Sequence, residues 1–327
     1  MANRPQVQRL VERIRMQSPL PAAIAYPCDR DSLQLALSGA FAGYLAPLLV
    51  GPEGRIRDAA AKAGLDISRL TIVDTADEPR ATGLRAVELA REGKVAALIK
   101  GSISDGDLLA PVAAPESGLR TDRRLSHAYF LDVPGRPQGM LLADALLNIA
   151  PNLAAKKDIV ANAIDLAVAL GVLAPNVALV AAMDYVTPAF PSTGDAAALK
   201  AMAAQGAFRG AVIDGPLTAD SALSADAARA NGVKSAVAGH PDVIIAPTME
   251  AAAMVLRTLT ALTGGLAAGL VLGAKIPIVV PARTDSMEIR MASCVLASLM
   301  ASAGERTGKP ARASAAPPAA EAARVAA

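Results

Sequence analysis

A rhythm limits the fold of this chain more than any single motif. Short apolar runs alternate with Ala-rich stretches of helical length. The early runs are 22–27, 46–52, 70–75 and 94–101, each as long as a buried strand and each ending in a polar or turn residue. Between them, 31–43, 52–63 and 77–91 read as helices. Strands that are apolar on both faces and separated by helices make a parallel sheet covered on both sides. The rhythm breaks near Ser126. SHAYFLDV, PGRPQG and MLLADALLNI read as two extended runs joined by a Pro/Gly turn, an antiparallel hairpin at a lobe boundary. It then resumes, with helices at 156–171, 193–206, 221–231, 249–262 and 285–302 and strands at 175–183, 210–217, 241–248 and 275–282.

Composition then removes several functions. The chain has 327 residues, enough for two lobes, and 53% of them are hydrophobic, enough for a core. Four Phe, four Tyr and no Trp are too few rings for the stacking platforms of single-strand nucleic-acid binding. A net charge of +2 gives no electrostatic grip on duplex DNA. Two His, His127 and His240, and two Cys, Cys28 and Cys294, cannot build a zinc finger, a His-rich metal site or a disulfide framework. The first residues are charged and amphipathic, with no apolar signal core, so a reducing cytoplasm is expected. The run 259–280 reads as helix, glycine turn and buried strand, not as a membrane span, because five residues of the set Gly264, Gly265, Gly269, Gly273 and Lys275, and then Pro277, interrupt it. After Ser302 the sequence collapses to Ala, Pro, Gly, Arg and Glu, which predicts a solvated tail over 305–327.

Ligands of parallel α/β sheets bind beyond the carboxyl ends of the strands. The residues there are Lys100, Gly101 and Ser102, then Gly118, Leu119, Arg120 and Thr121, and then Leu125, Ser126 and His127. Asp184 to Val186 leads to Pro191, Ser192 and Thr193, and Asp214 is followed by Gly215, Pro216 and Leu217. Ala282, Arg283, Thr284, Asp285 and Ser286 close the set. Such a rim is rich in Arg, Lys, Ser, Thr and Gly and poor in paired carboxylates, which suits anions. Each member also has a plain reading as a turn or cap, and Asp285 with Glu288 reads as a capping box. Arg283 differs, because it follows a buried strand and precedes a helix, so its charge should face the strand-end crevice. Cys28, Asp29, Arg30 and Asp31 stand where a glycine-rich dinucleotide loop would be, and neither a Walker A sequence nor a nucleophile elbow is present. Cys28 reads as a strand-end residue, Cys294 as packing, and His240 lies at the wrong end of its strand.

The chain resembles the phosphate acetyl/butyryltransferase family up to about Ser302. The resemblance rests on Lys100 and Gly101, Gly118 to Thr121, Leu125 to His127, and Asp144 with Asn148 to Pro151. It continues through Asp158 to Ala163, Pro191 to Thr193 with Asp195, Gly215 to Leu217 with Asp220, Val237 to Gly239, and Gly273 to Pro277. Arg283, Asp285, Ser286, Ala292 and Ser293 complete it. It implies a two-lobed α/β/α fold like that of the isocitrate and isopropylmalate dehydrogenases, with a cleft between the lobes. Residues 1–132 plus 268–304 would form the first lobe and 133–267 the second, through which the family dimerises. The implied reaction is acyl-CoA plus phosphate giving acyl phosphate plus CoA, with no metal, no cofactor and no covalent enzyme intermediate; CoA is a substrate. Phosphate is then the nucleophile, so the protein has only to hold it, stabilise an oxyanion and assist the departing thiolate. Arg120 and Arg283 are expected as paired cationic clamps, with Asp285 as the nearest base. Lys100, Gly101, Thr121, Ser126, His127, Ser192, Thr193, Gly215, Pro216 and Ser286 are expected to contact phosphate or CoA.

Two departures bear on mechanism. Some family acetyltransferases carry Ser just before the arginine and an acid a few residues on, where this chain has Ala282 and Ile289. Two rival readings follow: a non-catalytic CoA- or phosphate-binding member, and a metal-dependent dehydrogenase of the same superfold, which two distant His disfavour.

Overall fold

The computed structural model describes residues 4–306, with side chains to Gly304. Helix α1 (Pro5–Ile14) precedes the first βα series: β1 (Leu20–Ala25), α2 (Arg30–Phe41), β2 (Leu45–Gly51), α3 (Glu53–Ala63), β3 (Thr71–Asp74), α4 (Pro79–Arg91), β4 (Ala97–Lys100) and α5 (Asp105–Ala113). A hairpin follows, β5 (Ser126–Asp132) and β6 (Met140–Ala143). The second series is α6 (Leu153–Ala169), β7 (Asn176–Val180), α7 (Pro191–Ala204), β8 (Val212–Leu217), α8 (Ala219–Leu223), α9 (Ala225–Ala230), β9 (Val243–Ile245) and α10 (Met249–Thr263). The chain then returns through β10 (Leu266–Leu272), β11 (Ile278–Val279) and α11 (Met287–Arg306).

All eleven strands form one sheet, in the order β3-β2-β1-β4-β11-β10-β5-β6-β9-β7-β8. Every residue of β1 and of β10 is buried, as strands covered on both faces must be. The sheet is mixed rather than parallel. β10 runs antiparallel to both β5 and β11, and β5 antiparallel to β6, which matches the predicted hairpin. That reversal has a consequence for the site. The carboxyl ends of β1, β2, β4 and β11 point to one edge of the sheet, and those of β6, β7, β8 and β9 point to the other.

Local sequence accounts for most boundaries. Asp29, Asn152 and Thr248 cap α2, α6 and α10 by accepting from the backbone N–H three residues on. Gly64 and Gly264 end α3 and α10 in the left-handed conformation that glycine adopts at no steric cost. The region 259–280 holds a strand that the rhythm merges with its neighbours: after Gly264 and Gly265 the run Leu266–Leu272 is a strand in its own right, and only Ile278–Val279 of the expected 275–282 strand pairs. The helix expected at 221–231 breaks at Ser224, whose hydroxyl starts α9 by accepting from the Ala227 N–H at 3.2 Å. Helix α5 is short and carries Pro111 inside it, which hid its apolar spacing of Leu108, Leu109 and Val112 from the rhythm. Helix α11 continues past Ser302 to Arg306; the tail reading otherwise falls on residues outside those described. No helix among the described residues is long and apolar enough to cross a membrane.

One face of the sheet is covered along its length by α1, α2, α3, α6, α7 and α11, which share a single apolar core. The other face is covered in two parts. Helices α4 and α5 pack with Val271, Ile278 and Leu98, whereas α10 packs with Leu131, Leu142 and Ala267. Each Leu or Ile fully buried in these layers contributes roughly 2 kcal/mol.

Candidate active site

Between those two apolar clusters lies a strip of the sheet that we read as the floor of a cleft. It carries His127 and Tyr129 of β5, with Gly269 directly opposite Tyr129 on β10. Alternation along β5 sends Ala128, Phe130 and Ser126 to the covered face and His127 and Tyr129 to the cleft face. His127 is 1% exposed, and its Nδ1 is buried with no partner among the described residues. Burial drives its pKa down to about 4, against the fields of Asp144 and Asp105, so the imidazole is neutral at pH 7. Burial likewise pushes the Tyr129 hydroxyl up to about 12, helped by Asp285 and opposed by Arg257. Tyr129 is therefore a hydrogen-bond donor at any physiological pH.

The rim is built from three directions. Lys100 ends β4, and its Nζ lies 2.5 Å from Asp105 Oδ1 at the start of α5. Gly101 follows because nothing larger fits: a Cβ there would come within 2.6 Å of the Ala25 carbonyl and 2.7 Å of the Tyr26 carbonyl. Asp144, buried at the end of β6, folds its own loop by accepting from the N–H groups of Leu146 and Leu147 and from Asn148 Nδ2. Leu146 and Leu147 then pack on the first-lobe cluster and join the two walls.

The third contribution is the loop after β11. Asp285 Oδ2 accepts from the Ala282 N–H at 2.8 Å, and the Asp285 N–H donates to the Ala282 carbonyl. The turn so closed leaves Arg283 exposed at its tip. The capping box does not form. Ser286 starts α11 instead, accepting from the Ile289 N–H at 3.3 Å, which frees Asp285 to face the cleft. Burial raises the Asp285 pKa, opposed by the Ala282 N–H and by Arg290, Arg257 and Lys100. Those opposing charges mark the convergence: Lys100 from β4, Arg257 from α10 and Arg290 from α11 all act on one carboxylate. Arg290, 7% exposed, holds the loop from behind, with Nε 3.1 Å from the Asp285 carbonyl and Nη2 3.1 Å from the Ala282 carbonyl. Ile289, which supplies no acid, packs against the core of the covered face.

Lys100, Gly101, His127, Arg283, Asp285 and Ser286 thus gather at or beside the cleft. The other expected residues do not. Arg120 bridges Ala274 at the amino end of β11, whereas Arg283 follows its carboxyl end. The two arginines thus flank β11 from opposite sides along the chain. Thr121 ties the turn beyond β10, donating to the Gly273 carbonyl at 2.6 Å. Ser126 is buried on the covered face, where it accepts from Asn162 Nδ2 at 2.9 Å. The Thr193 hydroxyl is spent on the turn before α7, donating to the Phe190 and Thr187 carbonyls, and Ser192 lies in the first turn of that helix, on the covered face. Gly215 and Pro216 sit on β8, the edge strand, four strand spacings or roughly 19 Å from β5. A Cβ on Gly215 would meet the Leu179 carbonyl at 2.6 Å, which explains that glycine by packing alone.

Tyr129, Arg257 and Arg290 were missed. Tyr129 carried a signal, since alternation places it beside His127 on one face. Arg257 and Arg290 lie inside helices, and only the tertiary fold aims them at Asp285.

A large mixed sheet with helices on both faces, and Lys100, Arg257 and Arg290 converging on one carboxylate, defines an α/β/α protein with a cationic site. A crystal structure of a branched-chain phosphotransacylase from Enterococcus faecalis V583 superposes with a TM-score of 0.75 at 26% identity, over 86% of this chain and 99% of that one. The chain belongs to the family described as Phosphate acetyl/butaryl transferase, which it matches over residues 74–298. A phosphate acetyltransferase of Rhizobium meliloti is 46% identical over 90% of this chain and 92% of its own length. A phosphate butyryltransferase of Clostridium acetobutylicum is 34% identical over 89% of this chain and 97% of its own.

Proposed function

We propose that this cleft transfers an acyl group between CoA and inorganic phosphate. A phosphate oxygen bonds to the thioester carbon, the C–S bond breaks, and CoA leaves as a thiolate that takes up a proton. Acyl phosphate is the other product. The observation that carries this reading is the meeting of Lys100, Arg257 and Arg290 around Asp285, two residues after the exposed Arg283, beside neutral His127 and protonated Tyr129. Phosphate brings its own nucleophile, and this site has cations to hold it and donors to meet an oxyanion.

In this reading Arg283 binds the phosphate and Lys100 and Arg257 neutralise the charge that grows on it. Asp285, its pKa raised by burial, exchanges a proton with phosphate or the departing sulfur. Arg290 is a positioning residue, because it reaches the loop carbonyls and not the substrate. The first lobe is residues 1–132 plus 268–304 and the second 133–267. The enzyme works in the cytoplasm as a homodimer joined through the second lobe, where Ile149, Leu173, Tyr185, Met254 and Leu262 leave apolar surface exposed.

The test is CoA release from acetyl-CoA and butyryl-CoA with and without phosphate. Release that requires phosphate is expected. No phosphate-dependent release with either thioester would leave the protein as a binding member of its family.

A further inference from the structure

His127 and Tyr129 stand two residues apart on β5, with ring centroids 4.4 Å apart and ring planes at 58°. Together they make a plate on the cleft floor. Gly269 makes the plate possible. A Cβ there would come within 2.6 Å of His127 Cε1, 2.7 Å of His127 Nε2 and 2.9 Å of Tyr129 Cε1, so any side chain would push both rings off β10. In a chain with only eight Phe and Tyr rings, one of them lies here, within electrostatic range of Asp285, Arg257, Asp105 and Asp144. Tyr129, the half-buried member, offers ring surface within electrostatic range of the rim, with the buried His127 ring beside it.

The reaction proposed above puts a thioester carbonyl at that rim, beside phosphate. The alkyl part of the acyl group cannot lie among the ions without stripping their partners. It needs neutral surface within one or two bonds of the carbonyl, and the plate supplies that. We propose that the Tyr129 ring, held by His127 beside it, is the floor of the acyl pocket and favours the shorter acyl groups. This inference rests on the acyltransferase reading and adds to it the residue that sets chain length. Ring bulk, not the hydroxyl, does the limiting.

The experiment measures kcat/KM with phosphate for acetyl-CoA, propionyl-CoA and butyryl-CoA. The wild type is expected to prefer acetyl-CoA. Tyr129→Ala removes the ring and should raise the butyryl-to-acetyl ratio tenfold or more, since one methylene accommodated or refused in an apolar pocket is worth at least about tenfold. Tyr129→Phe keeps the ring and should keep the wild-type ratio. Tyr129→Leu, a smaller cut that retains apolar packing, should raise the ratio by less, and it decides the matter if the Ala variant fails to fold. An unchanged ratio in the Ala and Leu variants overturns the inference, as does a shift in Tyr129→Phe equal to that in Tyr129→Ala. A wild type that prefers butyryl-CoA overturns it too. A wild type without phosphate-dependent turnover on any of the three thioesters removes the underlying reading instead, so the two failures are distinct.

Discussion

Replacing Arg290 with Met isolates what holds the Arg283 loop. Met keeps the packing of the stem and removes two charge-assisted hydrogen bonds, to the carbonyls of Ala282 and Asp285. Each such bond contributes about 1.5–3 kcal/mol. The ion pair with Asp31, 3.4 Å away on an exposed partner, adds little. Water can replace part of the loss at the half-exposed Ala282, and the variant no longer buries a charge, so the net cost is about 2–3 kcal/mol. In a chain this long that lowers Tm by about 5 °C. The larger effect falls on activity. Among the described residues Arg283 has no side-chain hydrogen bond or ion pair of its own, and displacing a positioned group by about 1 Å can cost a hundredfold in rate. Steady-state kinetics should therefore show kcat down about a hundredfold, while circular dichroism shows a folded protein. The double variant with Arg283→Ala separates positioning from direct action: if Arg290 works through Arg283, the double variant is no slower than Arg283→Ala alone. A stable Arg290→Met enzyme with near-normal kcat, or losses that simply add, would refute the argument.

Three further outcomes follow from the same geometry. Arg283→Ala should lower turnover by two orders of magnitude or more and weaken phosphate dependence, as initial rates over a phosphate series would show. His127 should make the protein acid-labile. Its folded pKa of about 4 lies below the unfolded value of about 6.5, so the unfolded chain takes the proton first, and stability that is complete above pH 6.5 is lost as pH falls towards 4. Roughly 2.5 kcal/mol should vanish between pH 7 and pH 4.5, and urea titrations of His127→Asn should show that much less pH dependence. Gly269→Ala should cost about 1–3 kcal/mol by displacing both rings, with a matching fall in urea midpoint and in activity.

The sheet and its helices were readable because buried strands must be apolar throughout and helices between them must be long enough to cross back. The reading faltered where that logic is silent. Leu266–Leu272 follows a helix so closely that hydropathy alone merges the two, and only pairing with β5 defines it. The chemistry followed the same division. Arg283 and Lys100 sit beside strand ends, where sequence position predicts exposure to a crevice. Arg120, Ser126, Thr193 and Gly215 also lie near strand ends, but the reversal of β10 and the order of the outer strands carry them to another edge, another face or the far side of the sheet. Spacing along the chain does not encode that reversal. The same applies to Asp285: a capping box and a cleft-facing acid share one sequence, and the choice was made by Ser286 taking the cap.

The most direct measurement is the stoichiometry of the reaction itself. Purified protein would be given acetyl-CoA with and without phosphate, while free CoA and acyl phosphate are both quantified. Equal amounts of the two products, formed only when phosphate is present and lost in Arg283→Ala, are the predicted result. CoA release without phosphate, or release unaccompanied by acyl phosphate, would contradict direct attack by phosphate in this cleft.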